Sequence, residues 1–123
     1  MKHNIKAKDI SLTPALSEYL EKKLSHLDKF ISPEDMEAVM CQVELAKTTR
    51  HHKTGNIFEA EYNIYVGGKT LKALKDSFDL YSAIDLANDE MENELRSYKT
   101  KKTSLLRRGG AKIKQMLRNI YSR

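Results

Sequence analysis

The sequence predicts a two-layer α+β domain in which a four-stranded sheet carries two helices on one face. Three observations predict it. Two stretches have apolar residues every three or four positions, four stretches alternate apolar with polar residues, and a tight-turn signal separates the last two of these. The predicted order is β-α-β-β-β-α. The 123-residue length predicts one domain at about residues 1–102 and a basic tail at 103–123.

The first strand and the first helix are predicted within residues 1–30. Residues 1–8 alternate as a half-buried strand does, with Ile5 on its apolar side. Thr13 followed by Pro14 is typical of a helix start, because the hydroxyl caps free N–H groups and proline lacks the N–H that would go unpaired. Apolar residues then keep helical spacing to about residue 30.

Three further strands are predicted at Met36–Lys47, Ile57–Val66 and Lys69–Lys75, with residues 48–56 as a hairpin connection. Gly67-Gly68 predicts a primed turn, because both central residues of such a turn need positive φ. A strand-helix-strand start implies that the first two strands are parallel, and the hairpins then add antiparallel strands. With one apolar face per strand, both helices are expected on the same face of the sheet, leaving the other face open to water.

The last helix is predicted at Asp79–Lys102, with Asp79 as its N-cap. Its apolar stripe is wide enough for a helix that packs on a sheet. Acidic residues come early in this helix and basic residues late, as the helix dipole favours.

Charge is divided unequally along the chain. Residues 1–95 hold 12 Lys/Arg against 17 Asp/Glu, whereas residues 96–123 hold 10 Lys/Arg and no acidic residue. A cationic terminus of this kind favours a polyanionic partner, first nucleic acid and second an anionic membrane surface. The alternative is a tail that only makes the protein more soluble. The chain has no apolar run long enough to span a bilayer and a single cysteine, so a soluble cytoplasmic protein is expected.

No catalytic motif stands out, so we expect neither an enzyme nor a cofactor or metal. Asp85, Asp89 and Glu92 would share a helix face and could hold a hard cation, although a solvated acidic face is the favoured interpretation. His51-His52, between Arg50 and Lys53, is either a polar linker or a phosphate contact. Cys41 is interpreted as a core residue. Residues 111–120 could form a short basic helix, and an alternative hypothesis is that this helix mediates dimerisation.

Several of these stretches resemble the ribosome hibernation factors, the family of protein Y and the hibernation-promoting factors. The stretches are LTPALSEYLEKKL at 12–24, GGKTLKA at 67–73 and DLYSAID at 79–85. The resemblance covers residues 1 to about 102 and is to the short forms of the family. It implies a fold like a double-stranded-RNA-binding domain. It also implies binding to ribosomal RNA in the decoding region of the small subunit, where the protein obstructs messenger and transfer RNA.

The resemblance, together with the basic terminus, gives the predicted RNA-binding residues. These are Lys22, Lys23, Lys72, Arg96, Lys99, Lys101, Lys102, Arg107 and Arg108. The middle of the last helix departs from the family pattern, because Glu90, Asn93 and Ser97 stand where lysine, arginine and lysine are common. A negative surface there would repel phosphate.

The sequence therefore predicts a hibernation factor that is a monomer off the ribosome. Its partner would be the small ribosomal subunit and its RNA, with no membrane and no small-molecule substrate. Two alternatives stay open: an RNA-binding protein with another target, in ribosome assembly or regulation, and a metal-dependent nuclease that uses the three acidic residues of the last helix.

Overall fold

The computed structural model describes residues 1–49, 55–107, 115 and 118–120. Residues 118–120 are helical, and the helices and strands of the domain lie between residues 2 and 107. They are β1 (Lys2–Lys8), α1 (Pro14–Leu27), one 3₁₀ turn (Asp28–Phe30), β2 (Met40–Thr49), β3 (Asn56–Val66), β4 (Lys69–Ser77) and α2 (Leu80–Arg107). The strands follow chain order in one sheet, with β1 parallel to β2 and the other two pairs antiparallel. The predicted topology is confirmed.

Both helices bury their apolar stripes against the same face of the sheet, because alternate strand residues and both stripes form one core cluster. Tyr62 at the centre of β3 is fully buried, and its hydroxyl accepts a hydrogen bond of 3.0 Å from the Asn88 amide of α2. Burial raises the pKa of the Tyr62 hydroxyl. The largest fully buried residues are Tyr62, Leu20, Leu27, Leu45, Ile64, Ile84, Met91, Leu95, Val39, Val43 and Cys41.

The predicted caps and the tight turn are present. The Thr13 hydroxyl accepts from the Leu16 N–H at 3.2 Å, and the Asp79 carboxylate accepts from the Ser82 N–H at 3.0 Å. Gly67 and Gly68 have φ of 57° and 77°, as a primed turn between β3 and β4 requires. These local signals fix where the elements begin and turn.

The predicted start of the second strand is wrong. Residues 33–38 form turns, in which the Met36 N–H donates to the Pro33 carbonyl and the Ala38 N–H to Asp35, and β2 begins only at Met40. Because those backbone donors are already used within the turns, they do not join the sheet ladder. The apolar alternation before Met40 coincides with turn structure.

The other boundaries differ by shorter lengths. Thr48, Thr49 and Asn56 belong to the β2–β3 ladder rather than to its connection, and β4 continues to Ser77. The first helix gives way to the 3₁₀ turn after Leu27. Helix α2 continues five residues beyond Lys102 to Arg107, because the sequence contains neither proline nor glycine there. The division of the chain at residue 102 stays a prediction.

The second face of the sheet carries charged side chains on all four strands. Lys6 of β1 lies beside Glu44 of β2, which faces Glu61 of β3, and Glu61 is 3.3 Å from the Lys72 ammonium of β4. This face is opposite to both helices. In the described part of the chain, no helix is apolar over enough of its length to cross a membrane.

Candidate RNA-binding surface

Helices α1 and α2 lie side by side and run in the same direction, since their contacts advance together from Tyr19–Asp85 to His26–Glu92. The Tyr19 hydroxyl donates to Asp85 Oδ1, and the Lys23 ammonium lies 3.1 Å from the same oxygen. Burial alone would raise the pKa of Asp85, but the hydrogen bonds from Tyr19 and Lys23 outweigh it and lower that pKa. The bond to Asp85 raises the pKa of Lys23.

The DLYSAID stretch therefore has a structural role at the helix seam. Its Asp79 caps α2, Leu80, Ala83 and Ile84 are buried, and the Tyr81 ring meets the Tyr19 ring edge to face at 4.9 Å. Its last residue, Asp85, contacts two side chains of the LTPALSEYLEKKL stretch. Two of the three stretches that carry the family resemblance thus hold the two helices together.

Two acidic residues in the middle of α2, Glu90 and Glu92, lie close to basic side chains. Glu90 lies 3.9 Å from the Lys75 ammonium, and Glu92 lies 3.0 Å from His26 Nε2. Within the described residues, no group of three or more His, Cys, Asp or Glu side chains is placed to hold a metal ion. The nuclease hypothesis, built on Asp85, Asp89 and Glu92, gains no support from this arrangement.

Arg96 lies one helical turn beyond Glu92 and is held from two sides. Its guanidinium is 2.9 Å from Glu92 Oε2, and its central carbon lies over the Phe30 ring, 5.0 Å from the ring centre. The Arg96 side chain is still 62% exposed. It is therefore fixed in place but accessible to a partner.

Lys102 is engaged within the protein. Its ammonium lies 3.1 Å from Asp35 Oδ2, in the turns that precede β2, and the side chain is only 27% exposed. Partial burial works to lower the pKa of Lys102, but the bond to Asp35 outweighs it, so the pKa is raised. This ion pair fastens the later part of α2 to the body of the domain.

The remaining basic residues of α2 are exposed. Lys99, Lys101 and Arg107 all point to solvent, and Arg96 and Arg107 are spaced so that they share one face of the helix. Lys22 is exposed on α1. Among the described residues, no acidic partner is found for these three α2 side chains or for Lys22. The exposed cations of α2 therefore lie in its C-terminal half. Arg96, Lys99 and Arg107 project within about 80° of one another around the helix axis, and Lys101 projects to one flank of them, because successive helical residues are about 100° apart. We call these four residues the basic face of α2.

The other predicted RNA-binding residues are placed differently. Lys72 lies on the open face of the sheet, bonded to Glu61, and so points away from the basic face of α2. Arg108, the pair His51-His52 and most of the 111–120 segment lie outside the described residues. RNA binding by each predicted residue stays a prediction.

Sequence reasoning missed the side chains that hold these bases. The Glu92–Arg96 pair has the spacing of four typical of neighbours on a helix and was readable from the sequence. The sequence does not predict the contact of Phe30 with Arg96 or that of Asp35 with Lys102, because the two residues of each pair are more than sixty positions apart along the chain. Periodicity does not encode such contacts.

Comparison with known proteins identifies the family. The profile of the family described as "Sigma 54 modulation protein / S30EA ribosomal protein" matches residues 3–103. The chain belongs to this family. The matched range runs from the second residue of β1 through most of α2, and it includes the helix seam and three of the four residues of the basic face.

Similar curated members of the family are named ribosome hibernation promotion factors. The one from Lactococcus lactis subsp. cremoris is 31% identical over 101 residues, which make up 82% of this chain and 51% of that protein. The one from Bacillus subtilis is 29% identical over 111 residues, or 90% of this chain and 55% of that protein. The chain thus spans about half the length of the curated relatives it matches.

Solved structures agree with the fold. The N-terminal domain of Thermus thermophilus Protein Y has a TM-score of 0.65 and 26% identity, covering 80% of this chain and 99% of that one. A ribosomal subunit interface protein from Coxiella burnetii has a TM-score of 0.60 at 22% identity, covering 81% of this chain and 99% of that one. The predicted α+β fold and the predicted family are both confirmed.

Proposed function

We propose that this protein is a ribosome-associated hibernation factor. It binds ribosomal RNA at the decoding region of the small subunit and inhibits translation by occluding messenger and transfer RNA. The observation that carries the proposal is the family match over residues 3–103, with relatives named ribosome hibernation promotion factors. The protein acts in the cytoplasm by occupying a site and catalyses no reaction.

The charges of α2 support an RNA partner. Its exposed cations are concentrated after residue 95, whereas three of the acidic residues before it, Asp85, Glu90 and Glu92, are paired with basic side chains. Each phosphate that such a cation neutralises releases condensed counterions, which stabilises the complex at low salt. The basic face of α2 is therefore the proposed contact surface, and the acidic part of the helix marks where that contact ends.

The same surface favours phosphate recognition over base stacking. Its members are lysine and arginine, and the aromatic side chains near it, Phe30 and Tyr98, pack against the protein core. Splayed single-stranded bases need exposed aromatic platforms. Recognition of the shape of folded RNA through its backbone suits this surface better.

Gradient sedimentation with purified bacterial ribosomes tests the proposal. The protein is expected to travel with the small subunit and with whole ribosomes, to protect decoding-region nucleotides from chemical modification, and to inhibit translation in a reconstituted system. Protection should disappear when messenger and transfer RNA are bound first. Binding only to free RNA, or to ribosomes without inhibition of translation, would instead favour the alternative of an RNA-binding protein with another target.

A further inference from the structure

Four side chains from α1, the 3₁₀ turn and α2 meet at the first residue of the basic face. We call them the Arg96 cluster: His26, Phe30, Glu92 and Arg96. Glu92 uses one oxygen toward Arg96, at 2.9 Å, and the other toward His26, at 3.0 Å. The Phe30 ring lies under the guanidinium and also meets the His26 ring at 5.5 Å.

This arrangement holds the guanidinium in position through a carboxylate and an aromatic ring. The carboxylate holds one terminal nitrogen, the aromatic ring covers one side of the group, and the carboxylate itself is held by His26 from the far side. Arginine has five N–H donors, and most of them remain unused here. The 62% exposure of the side chain leaves them accessible from solvent.

We propose that Phe30 and Glu92 are positioning residues that preorganise Arg96 to bind one RNA backbone phosphate through two N–H groups. The inference rests on the proposed function. A long cationic side chain loses considerable rotamer freedom when it binds, and this cost is smaller when the protein already holds it in the bound geometry. Arg96 then contributes more to affinity than its charge alone.

Lysine at the same place would benefit less from the cluster than arginine does. An ammonium is a point charge without a plane to stack on the ring and without a fork to engage a phosphate with two parallel bonds. Charge and geometry can therefore be separated by Arg96→Lys, which keeps the charge. Among the described residues, Lys99, Lys101 and Arg107 have no comparable aromatic and carboxylate support, so they are expected to act mainly through charge.

The test measures the affinity of the full chain for purified bacterial small ribosomal subunits at several salt concentrations. Arg96→Lys and Phe30→Leu are each expected to weaken binding by about two- to fivefold, the range of an exposed cation–π contact. Because neither variant changes a charge, the salt dependence should stay that of the wild type. Phe30→Tyr keeps the ring and should retain wild-type affinity. Tyr65→Leu removes an exposed aromatic from the open sheet face and serves as the matched control.

The double variant Phe30→Leu/Arg96→Lys decides whether Phe30 acts through Arg96. If it does, the double variant binds no more weakly than Arg96→Lys alone. Additive losses, or a loss with Phe30→Tyr equal to that of Phe30→Leu, would overturn the inference and leave the proposed function intact. Failure of the wild-type chain to bind the subunit would overturn both.

Discussion

At the scale of single residues, Cys41 shows how the core sets chemistry. Its side chain is fully buried on the inner face of β2, and burial raises the pKa of the thiol from 9.0 to about 12. The thiolate is the reactive form of cysteine, so a thiol held protonated in this way is inert. The sequence-based interpretation of Cys41 as a core residue agrees with its burial.

The raised pKa predicts a loss of stability in alkali. The folded state keeps the thiol protonated while the unfolded state ionises it, so this contribution is complete below pH 9 and is lost as the pH rises toward 12. Between pH 9 and pH 12, ionisation of the thiol in the unfolded state lowers the free energy of unfolding by about 1.4 kcal/mol per pH unit. Urea unfolding at several pH values should give a shallower alkaline decline for Cys41→Ala. Equal slopes for both proteins would show that the thiol is not protected by burial.

Residue-scale contacts also decide which predicted RNA-binding residues are available. Lys101 and Lys102 are neighbours in the sequence, yet one is exposed and the other is bonded to Asp35. The charge pattern along the sequence does not distinguish the two lysines, because Asp35 lies in the turns before β2, far from Lys102 along the chain. The exposed surface of this helix had to come from the structure.

At the scale of elements, the sequence predicted the two helices and four strands that the structure describes between residues 2 and 107, their order and the caps of both helices. Thr13-Pro14, Asp79 and Gly67-Gly68 are local signals whose chemistry acts within a few residues, and all three lie where predicted. Boundaries without a local signal were less accurate. The start of β2 was predicted too early, because the residues just before Met40 alternate as a strand does although they form turns. The end of α2 was predicted too early, because basic residues occur in helices as well as in tails.

The contact between the two helices carries an element-scale prediction. Asp85→Asn should weaken the bonds from Tyr19 and Lys23 and lower the free energy of unfolding by up to about 1 kcal/mol at neutral pH, a small value because the Asp85 side chain is 44% exposed and screened by solvent. Since the folded protein lowers the pKa of Asp85, this stabilisation exists above pH 3.8 and is lost as the pH falls below it.

Denaturant unfolding at pH 7 and pH 3 measures both parts of that prediction. The difference between the wild type and Asp85→Asn should shrink at the lower pH. Asp89→Asn, on the same helix and exposed, is the matched control and should leave stability almost unchanged. An equal effect of both substitutions would mean that general helix charge, rather than the helix–helix contact, sets stability.

At the scale of the whole molecule, the protein has two surfaces of different character. The open face of the sheet has mixed charge and includes Lys2, Lys6 and Lys8 of β1. The C-terminal half of α2 has exposed cations, and the sequence contains no acidic residue after Glu94. The fold separates these surfaces, because α2 covers the opposite side of the sheet. The contribution of each surface to binding can therefore be compared by removing the same number of positive charges from α2 or from the open face of the sheet.

The central claim is that the basic face of α2 binds the small ribosomal subunit. The direct measurement is the salt dependence of affinity for small subunits, compared between two triple variants that each lose three charges, Lys99/Lys101/Arg107→Gln and Lys2/Lys6/Lys8→Gln. The α2 variant is predicted to bind far more weakly, with a slope of log affinity against log salt that is shallower by about two to three. The sheet variant is predicted to behave like the wild type. Equal losses in both variants, or an unchanged slope in the α2 variant, would contradict the account.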